Sequence, residues 1–194
     1  FKNAIKINPN NTGFYIGLGE IYYLDKKIDK AIENFKRAIK IKLDCAEAYY
    51  NLGLIFHNKG RFNTSILNYN KAIKFKPNYP EAYYNLGNLL KEMGKYQDSE
   101  KNYKKAIAFK PEFPEAYNNL GIIINKQWRT EEAKNNFMKA TILNPDYAEA
   151  YNNLGISLIE LGKFEQAIAS LNKSITLKPN LAQAHRHLSY MRKY

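Results

Sequence analysis

PEAYYNLGNLLKEMGKYQDSEKNYKKAIAFKPEF, residues 80–113, decides how this chain is read, because altered copies of it lie on both sides. AEAYYNLGLIFHNKG stands at 46–60, PEAYNNLGIIINK at 114–126 and AEAYNNLGISLIELGKFEQAIASLNKSITLKPN at 148–180. Asn51, Asn85, Asn119 and Asn153 recur every 34 residues, and Gly53, Gly87, Gly121 and Gly155 keep the same step. A fixed period of this length marks stacked supersecondary units, each burying its apolar face against its neighbours. Within each copy the apolar spacing is that of helices, not strands.

Working outward, the columns resemble those of the tetratricopeptide repeat family over the whole chain. In the copy starting at 114 they are Tyr117, Leu120 and Gly121, then Ala133, Phe137, Ala140 and Pro145. The resemblance implies an all-α fold, a right-handed α-solenoid (superhelix) of antiparallel helix-turn-helix units. Five full units fit, at 12–45, 46–79, 80–113, 114–147 and 148–181. A second-helix remnant at 1–11, with Phe1, Ala4 and Pro9 in register, precedes them, and a partial repeat or capping helix at 182–194 follows. Both termini fall inside repeats, so the chain is expected to be a single repeat array cut from a longer protein.

Every proline flanks a helix. Pro77, Pro111, Pro145 and Pro179 close second helices, whereas Pro80 and Pro114 open first ones, where a missing N–H costs nothing. Gly19, Gly53, Gly87, Gly121 and Gly155 stand inside first helices, where glycine costs about 1 kcal/mol relative to alanine. A close approach of the paired helix would explain them, with Ala31, Ser65, Ser99, Ala133 and Ala167 as the expected counterparts. Tyr15, Tyr49, Tyr83, Tyr117 and Tyr151, and Phe35, Tyr69, Tyr103, Phe137 and Leu171, are expected to fill the core.

Gly60, Gly94 and Gly162 stand where first helices must stop, as left-handed C′ residues do. Lys26 and Trp128 occupy that column in the first and fourth units. Trp128 is expected to fold back over Thr130, where other units have Phe62, Tyr96 and Phe164; the other reading is an exposed binding aromatic. The first unit also has Leu43 in place of proline, Gly17 in place of the column Asn and Gly13 in its first turn, which predicts a softer entry.

The formal charge of +12 invites a nucleic-acid reading. Many of the cations, among them Lys40, Lys74, Lys105, Lys139 and Lys173, lie towards second-helix ends, and Glu47, Glu81, Glu115 and Glu149 open first helices. Both placements match the helix dipole, so a solvated surface is the simpler reading and nucleic acid is not expected as a partner. No apolar run approaches the roughly 18 residues of a membrane span. The single Cys45 cannot form an intramolecular disulfide, which fits a reducing, cytoplasmic setting.

Little supports catalysis. The chain has no HExxH, no glycine-rich phosphate loop and no paired-cysteine metal spacing. His185 and His187 are two apart on an expected helix and diverge. No cofactor, metal or catalytic residue is assigned, and the segment is not expected to be an enzyme.

The resemblance points instead to the concave face lined by first helices. Its groove positions map to Tyr50, Asn51, Leu54, Tyr84, Asn85, Asn88, Asn118, Asn119, Ile122, Asn152, Asn153 and Ile156. A carboxamide both donates and accepts, so a ladder of Asn51, Asn85, Asn119 and Asn153 suits an extended polypeptide backbone. It looks like the asparagine ladder in the repeat arm of O-linked N-acetylglucosamine transferases. The four first-turn glutamates stand where a clamp for acidic tails needs Lys or Arg, so a neutral or basic segment is favoured. The expected function is a scaffold binding a protein or peptide. Alternatives are the docking arm of a transferase, glycosyltransferase- or sulfotransferase-like, and a homo-oligomer formed through repeat ends or the convex face.

Overall fold

The computed structural model describes residue 8 and residues 10–191. Phe1, Ala4 and Pro9 of the expected remnant lie outside them. The described residues hold eleven helices and no strand. First helices of the repeat are α1 (Thr12–Leu24), α3 (Ala46–Asn58), α5 (Pro80–Glu92), α7 (Pro114–Asn125), α9 (Ala148–Glu160) and α11 (Ala182–Met191). Second helices are α2 (Ile28–Ile41), α4 (Phe62–Phe75), α6 (Tyr96–Phe109), α8 (Thr130–Leu143) and α10 (Phe164–Leu177). The fold class is an all-α repeat solenoid.

Two compact units divide the chain, one ending at Leu89 and the other beginning at Leu90, within α5. In the first, α1 packs on α2, α3 on α4, and α3 also touches α2 and α1. In the second, α7 packs on α6 and α8, and α9 on α7, α8, α10 and α11. The first helices α3, α7 and α9 therefore each meet their own partner and a neighbouring repeat, which is how a repeat buries an apolar face it cannot close alone.

All five first-helix stops share one geometry. Lys26, Gly60, Gly94, Trp128 and Gly162 have φ of +59°, +68°, +73°, +61° and +71°. At each the next residue's N–H reaches back five residues, as in Lys27 to Tyr22, Arg61 to Phe56, Lys95 to Leu90 and Lys163 to Leu158, all at 2.8 Å. This is the Schellman arrangement. The corresponding bond after Trp128, Arg129 to Ile124, is the longest at 3.3 Å. An L-residue in the left-handed region costs about 1–2 kcal/mol, so Lys26 and Trp128 are held there by the repeat, not by preference.

Second helices end in extended backbone. The caps Lys76, Lys110, Asn144 and Lys178 have φ between −133° and −139°, where a following proline drives the preceding residue. Lys42, which precedes Leu43, adopts φ −133° as well, and Cys45 N–H closes the turn on its carbonyl at 3.2 Å. The backbone path out of the first unit is therefore the common one, made without proline. Lys40 and Lys74 stand in the last turns of α2 and α4, but α6, α8 and α10 have no cation there, so the dipole match is only partial.

Phe35, Tyr69, Tyr103, Phe137 and Leu171 are at most 2% exposed and form the core column. Burying such a side chain contributes about 1.5–3 kcal/mol. They correct the expected role of the small second-helix residues. A β-carbon on Gly19, Gly53, Gly121 or Gly155 would lie 2.6–2.8 Å from the side chain of Phe35, Tyr69, Phe137 or Leu171 respectively. The glycines admit these large groups; the small column sits alongside, and Ser65 Oγ donates to the Gly53 carbonyl at 2.7 Å.

Trp128 is the second correction. It is 92% exposed and does not fold over Thr130. Thr130 instead donates its hydroxyl to Glu160 Oε2 at 3.2 Å, and the left-handed turn leaves the indole in solvent.

Candidate functional site

Within each unit, successive first helices are joined by polar bonds that share one offset, 35 residues, a repeat plus one. In the first unit Asn58 Nδ2 donates to the Tyr23 hydroxyl at 2.6 Å, and Asn85 Nδ2 to the Tyr50 hydroxyl at 2.9 Å. In the second unit Asn153 Nδ2 donates to Asn118 Oδ1 at 2.9 Å, Asn125 Nδ2 to Glu160 Oε1 at 3.3 Å, and His187 Nδ1 meets Asn152 Oδ1 at 3.2 Å. A carbonyl oxygen only accepts, so His187 carries its proton on Nδ1.

These bonds decide what the asparagine column presents. Asn51 also donates to the carbonyl of Glu47 at 3.1 Å and to Glu20 Oε1 at 3.4 Å, and Asn85 to the carbonyl of Glu81 at 3.0 Å. A carbonyl acceptor fixes the amide orientation. Both protons of Asn51 and of Asn85 are thus engaged within the protein, and the side each turns outward is Oδ1. Asn153 is used on both sides, since its Oδ1 accepts from Asn152 at 3.4 Å.

The remaining sequence candidates divide by burial. Leu54, Tyr84, Asn88, Asn119, Ile122 and Ile156 are half-buried, whereas Asn118 and Asn152 are buried at 4% and 2% exposure. Those last two belong to helix packing. Tyr50 is half-buried as well, its ring 5.0 Å from Tyr79 and 6.1 Å from Tyr69. Burial raises its phenol pKa, the charge of Glu81 adds to this, and the bond from Asn85 opposes it. The phenol stays neutral as part of an aromatic cluster.

One cleft gathers several candidates in the second unit. Ile122, Asn153 and Ile156 line an opening of about 410 Å³ together with Asn125, Lys126 and Trp128, and Glu160 and Phe137 complete it. That volume is within the usual range for a ligand site. Lys126 Nζ turns aside to the Tyr96 hydroxyl at 3.4 Å, 5.2 Å from that ring's centre. Nearby, half-buried Lys91 has its pKa lowered by burial and, secondarily, by the charge of Lys126.

With this geometry in view, family models fit most of the chain. A TPR repeat model matches residues 19–60, 53–94 and 87–127, and a tetratricopeptide repeat model matches 148–181. The chain belongs to the tetratricopeptide repeat family. Such repeats generally serve protein–protein interaction. Comparison with curated proteins found no match.

Solved structures with the same fold are numerous. YrrB, described as a TPR protein with an unusual peptide-binding site, superposes with a TM-score of 0.78 at 21% identity, covering 95% of each chain. MamA gives 0.75 at 23% identity over 89% of this chain and 94% of its own. PilF of Pseudomonas aeruginosa gives 0.77 at 19% identity over 93% and 88%.

Within this tetratricopeptide array, sequence reasoning missed Glu160 and the network under Trp128. Glu100 Oε2 accepts from Arg129 Nη1 at 2.9 Å and from Gln127 Nε2 at 3.2 Å, and Lys104 pairs with Oε1 at 2.7 Å. Burial works against the Glu100 carboxylate, but the bonds from Lys104 and Arg129 outweigh it and hold its pKa below the usual value. Gln127 and Arg129 flank Trp128, so the turn is anchored on both sides. The one legible signal was Trp128 itself, a large residue in a glycine column. Among the described residues no cluster of His, Cys, Asp and Glu could hold a metal, and no helix is long and apolar enough to cross a membrane.

Proposed function

We propose that this chain is an interaction module that holds an extended polypeptide against the first-helix side chains of its repeats. The cleft among Ile122, Asn153 and Ile156 carries the reading, because it offers apolar walls beside fixed polar groups on the face where the repeat positions one such set per unit. The asparagine column supports it in a narrower form than a donor–acceptor ladder. Asn51 and Asn85 offer outward carbonyl oxygens, suited to backbone N–H groups of an extended segment. The similarity of fold to YrrB, a protein described by its peptide-binding site, is consistent with a peptide ligand.

The test is a screen of blocked extended peptides against the full chain, followed by titration of the best binder into a variant carrying Ile122→Ser and Ile156→Ser. About a tenfold loss of affinity with unchanged helicity is expected from removing two apolar walls. A library that yields no binder, or a variant that binds as well as the parent, would sink the reading.

A further inference from the structure

The cleft of the second unit has unmatched acceptors. Among the described residues Glu160 receives bonds from the neutral groups Asn125 and Thr130 alone, and no cation pairs with it. Lys126, the ammonium on the same cleft, is engaged by Tyr96. Asn125, with its amide turned to Glu160, keeps Oδ1 buried without a hydrogen-bond partner. Above them stands Trp128, 92% exposed, its indole free of any ring, cation or hydrogen-bond contact among the described residues. A carboxylate bonded by neutral groups alone and an electron-rich π-face both stand without a cation, and Ile122 and Ile156 form apolar walls beside them.

The backbone of Trp128 is also held in a conformation it does not favour. Its φ of +61° places it where three other repeats have glycine. Strain of this kind persists where the surroundings over-determine it, and it gathers at functional positions. Here the surroundings are Gln127 and Arg129, both bonded to Glu100, with Arg129 tied on to Glu132. With the backbone of the turn set in advance, presenting the indole requires no rearrangement of the chain.

We infer that this cleft receives an arginine side chain of the bound polypeptide, stacked on the Trp128 indole and paired with Glu160. A guanidinium has a planar face for stacking and a fork of donors for a carboxylate. The inference rests on the peptide-binding reading above and makes it specific.

The chain has a single tryptophan, so its fluorescence reports on this position alone. The probe is the blocked peptide acetyl-Ala-Leu-Arg-Leu-Ala-amide, compared with its citrulline analogue, which keeps the shape and loses the charge. Binding is read from Trp128 emission and, independently, from the anisotropy of a labelled copy. The arginine peptide is expected to shift the emission saturably and to bind about fivefold or more tightly than the citrulline peptide. Glu160→Gln and Trp128→Gly should each remove most of that difference. Trp128→Gly relieves the left-handed strain, so it should raise the denaturation midpoint, which separates lost contact from lost folding. Equal affinity for the two peptides, or full discrimination in either variant, overturns the inference while leaving peptide binding intact. Binders elsewhere in the library with none for the arginine peptide overturn it too. Failure of every peptide overturns the broader reading and this one with it.

Discussion

Gly121 shows how little space the packing leaves. A β-carbon there would sit 2.6 Å from Cε1 of Phe137, a ring only 2% exposed. Helix propensity alone favours alanine over glycine by about 1 kcal/mol, whereas displacing a packed ring costs about 1–3 kcal/mol. The second term should win. Gly121→Ala is expected to lower the urea midpoint with no change in slope, and an unchanged or higher midpoint would show that Phe137 moves freely. Gly60 and Gly162 have nothing within 4 Å of a built β-carbon and are in place for their backbone. Two columns look alike in sequence and answer to different physics. The period alone located both, but the ring behind Gly121 needed coordinates, because the sequence offered Ala133 as an equally good neighbour.

At the scale of the element, the bonds offset by 35 residues tie α1 to α3 and α3 to α5 in the first unit, and α7 to α9 and α9 to α11 in the second. The terminal helix α11 depends on one of them, His187 to Asn152. Burial lowers the pKa of this imidazole from its ordinary 6.5, and the charge of Arg186 adds to the effect. The undocked helix therefore takes up a proton at a pH where the docked one does not. Docking stability is fully present above about pH 6.5 and declines as pH falls through the lowered folded value. Amide exchange in α11 should accelerate more than in α9 between about pH 7 and pH 5, beyond the intrinsic pH trend. His187→Gln should flatten the difference, and identical pH dependence of the two helices would exclude the mechanism. Helix positions were legible from apolar spacing and turn residues. The offset was not, because it depends on how neighbouring first helices are rotated against each other.

For the whole molecule, the excess of positive charge conceals a few structured acids. Exposed pairs such as Lys59–Asp29 at 3.5 Å contribute little. Glu100 is different: its side chain is 12% exposed and it is bonded to Lys104, Arg129 and Gln127. Its folded pKa is depressed, so its contribution is present above the unfolded value near 4.5 and is lost as pH falls through the folded one. Glu100→Gln should cost about 1–3 kcal/mol at neutral pH. That deficit should vanish in acid, where the parent carboxylate is itself protonated. A deficit that stays constant from neutral pH to about pH 3 would assign the loss to packing and not to charge.

The order of helices, their stops and the core column from Phe35 to Leu171 follow from the sequence by itself, because each repeats with the period and each obeys local rules of spacing, chain reversal and side-chain size. The absence of proline at Leu43 and of glycine at Trp128 looked like breaks in those rules. The backbone nevertheless follows the common path at Lys42 and Trp128, since packing of neighbouring repeats outweighs about 1–2 kcal/mol of local preference. Only the tertiary structure decided which asparagines face outward, which way their amides turn, and that Trp128 stands over Glu160's cleft. Those outcomes depend on residues one repeat or more away, where spacing along the chain carries no information about which polar groups have already found a partner.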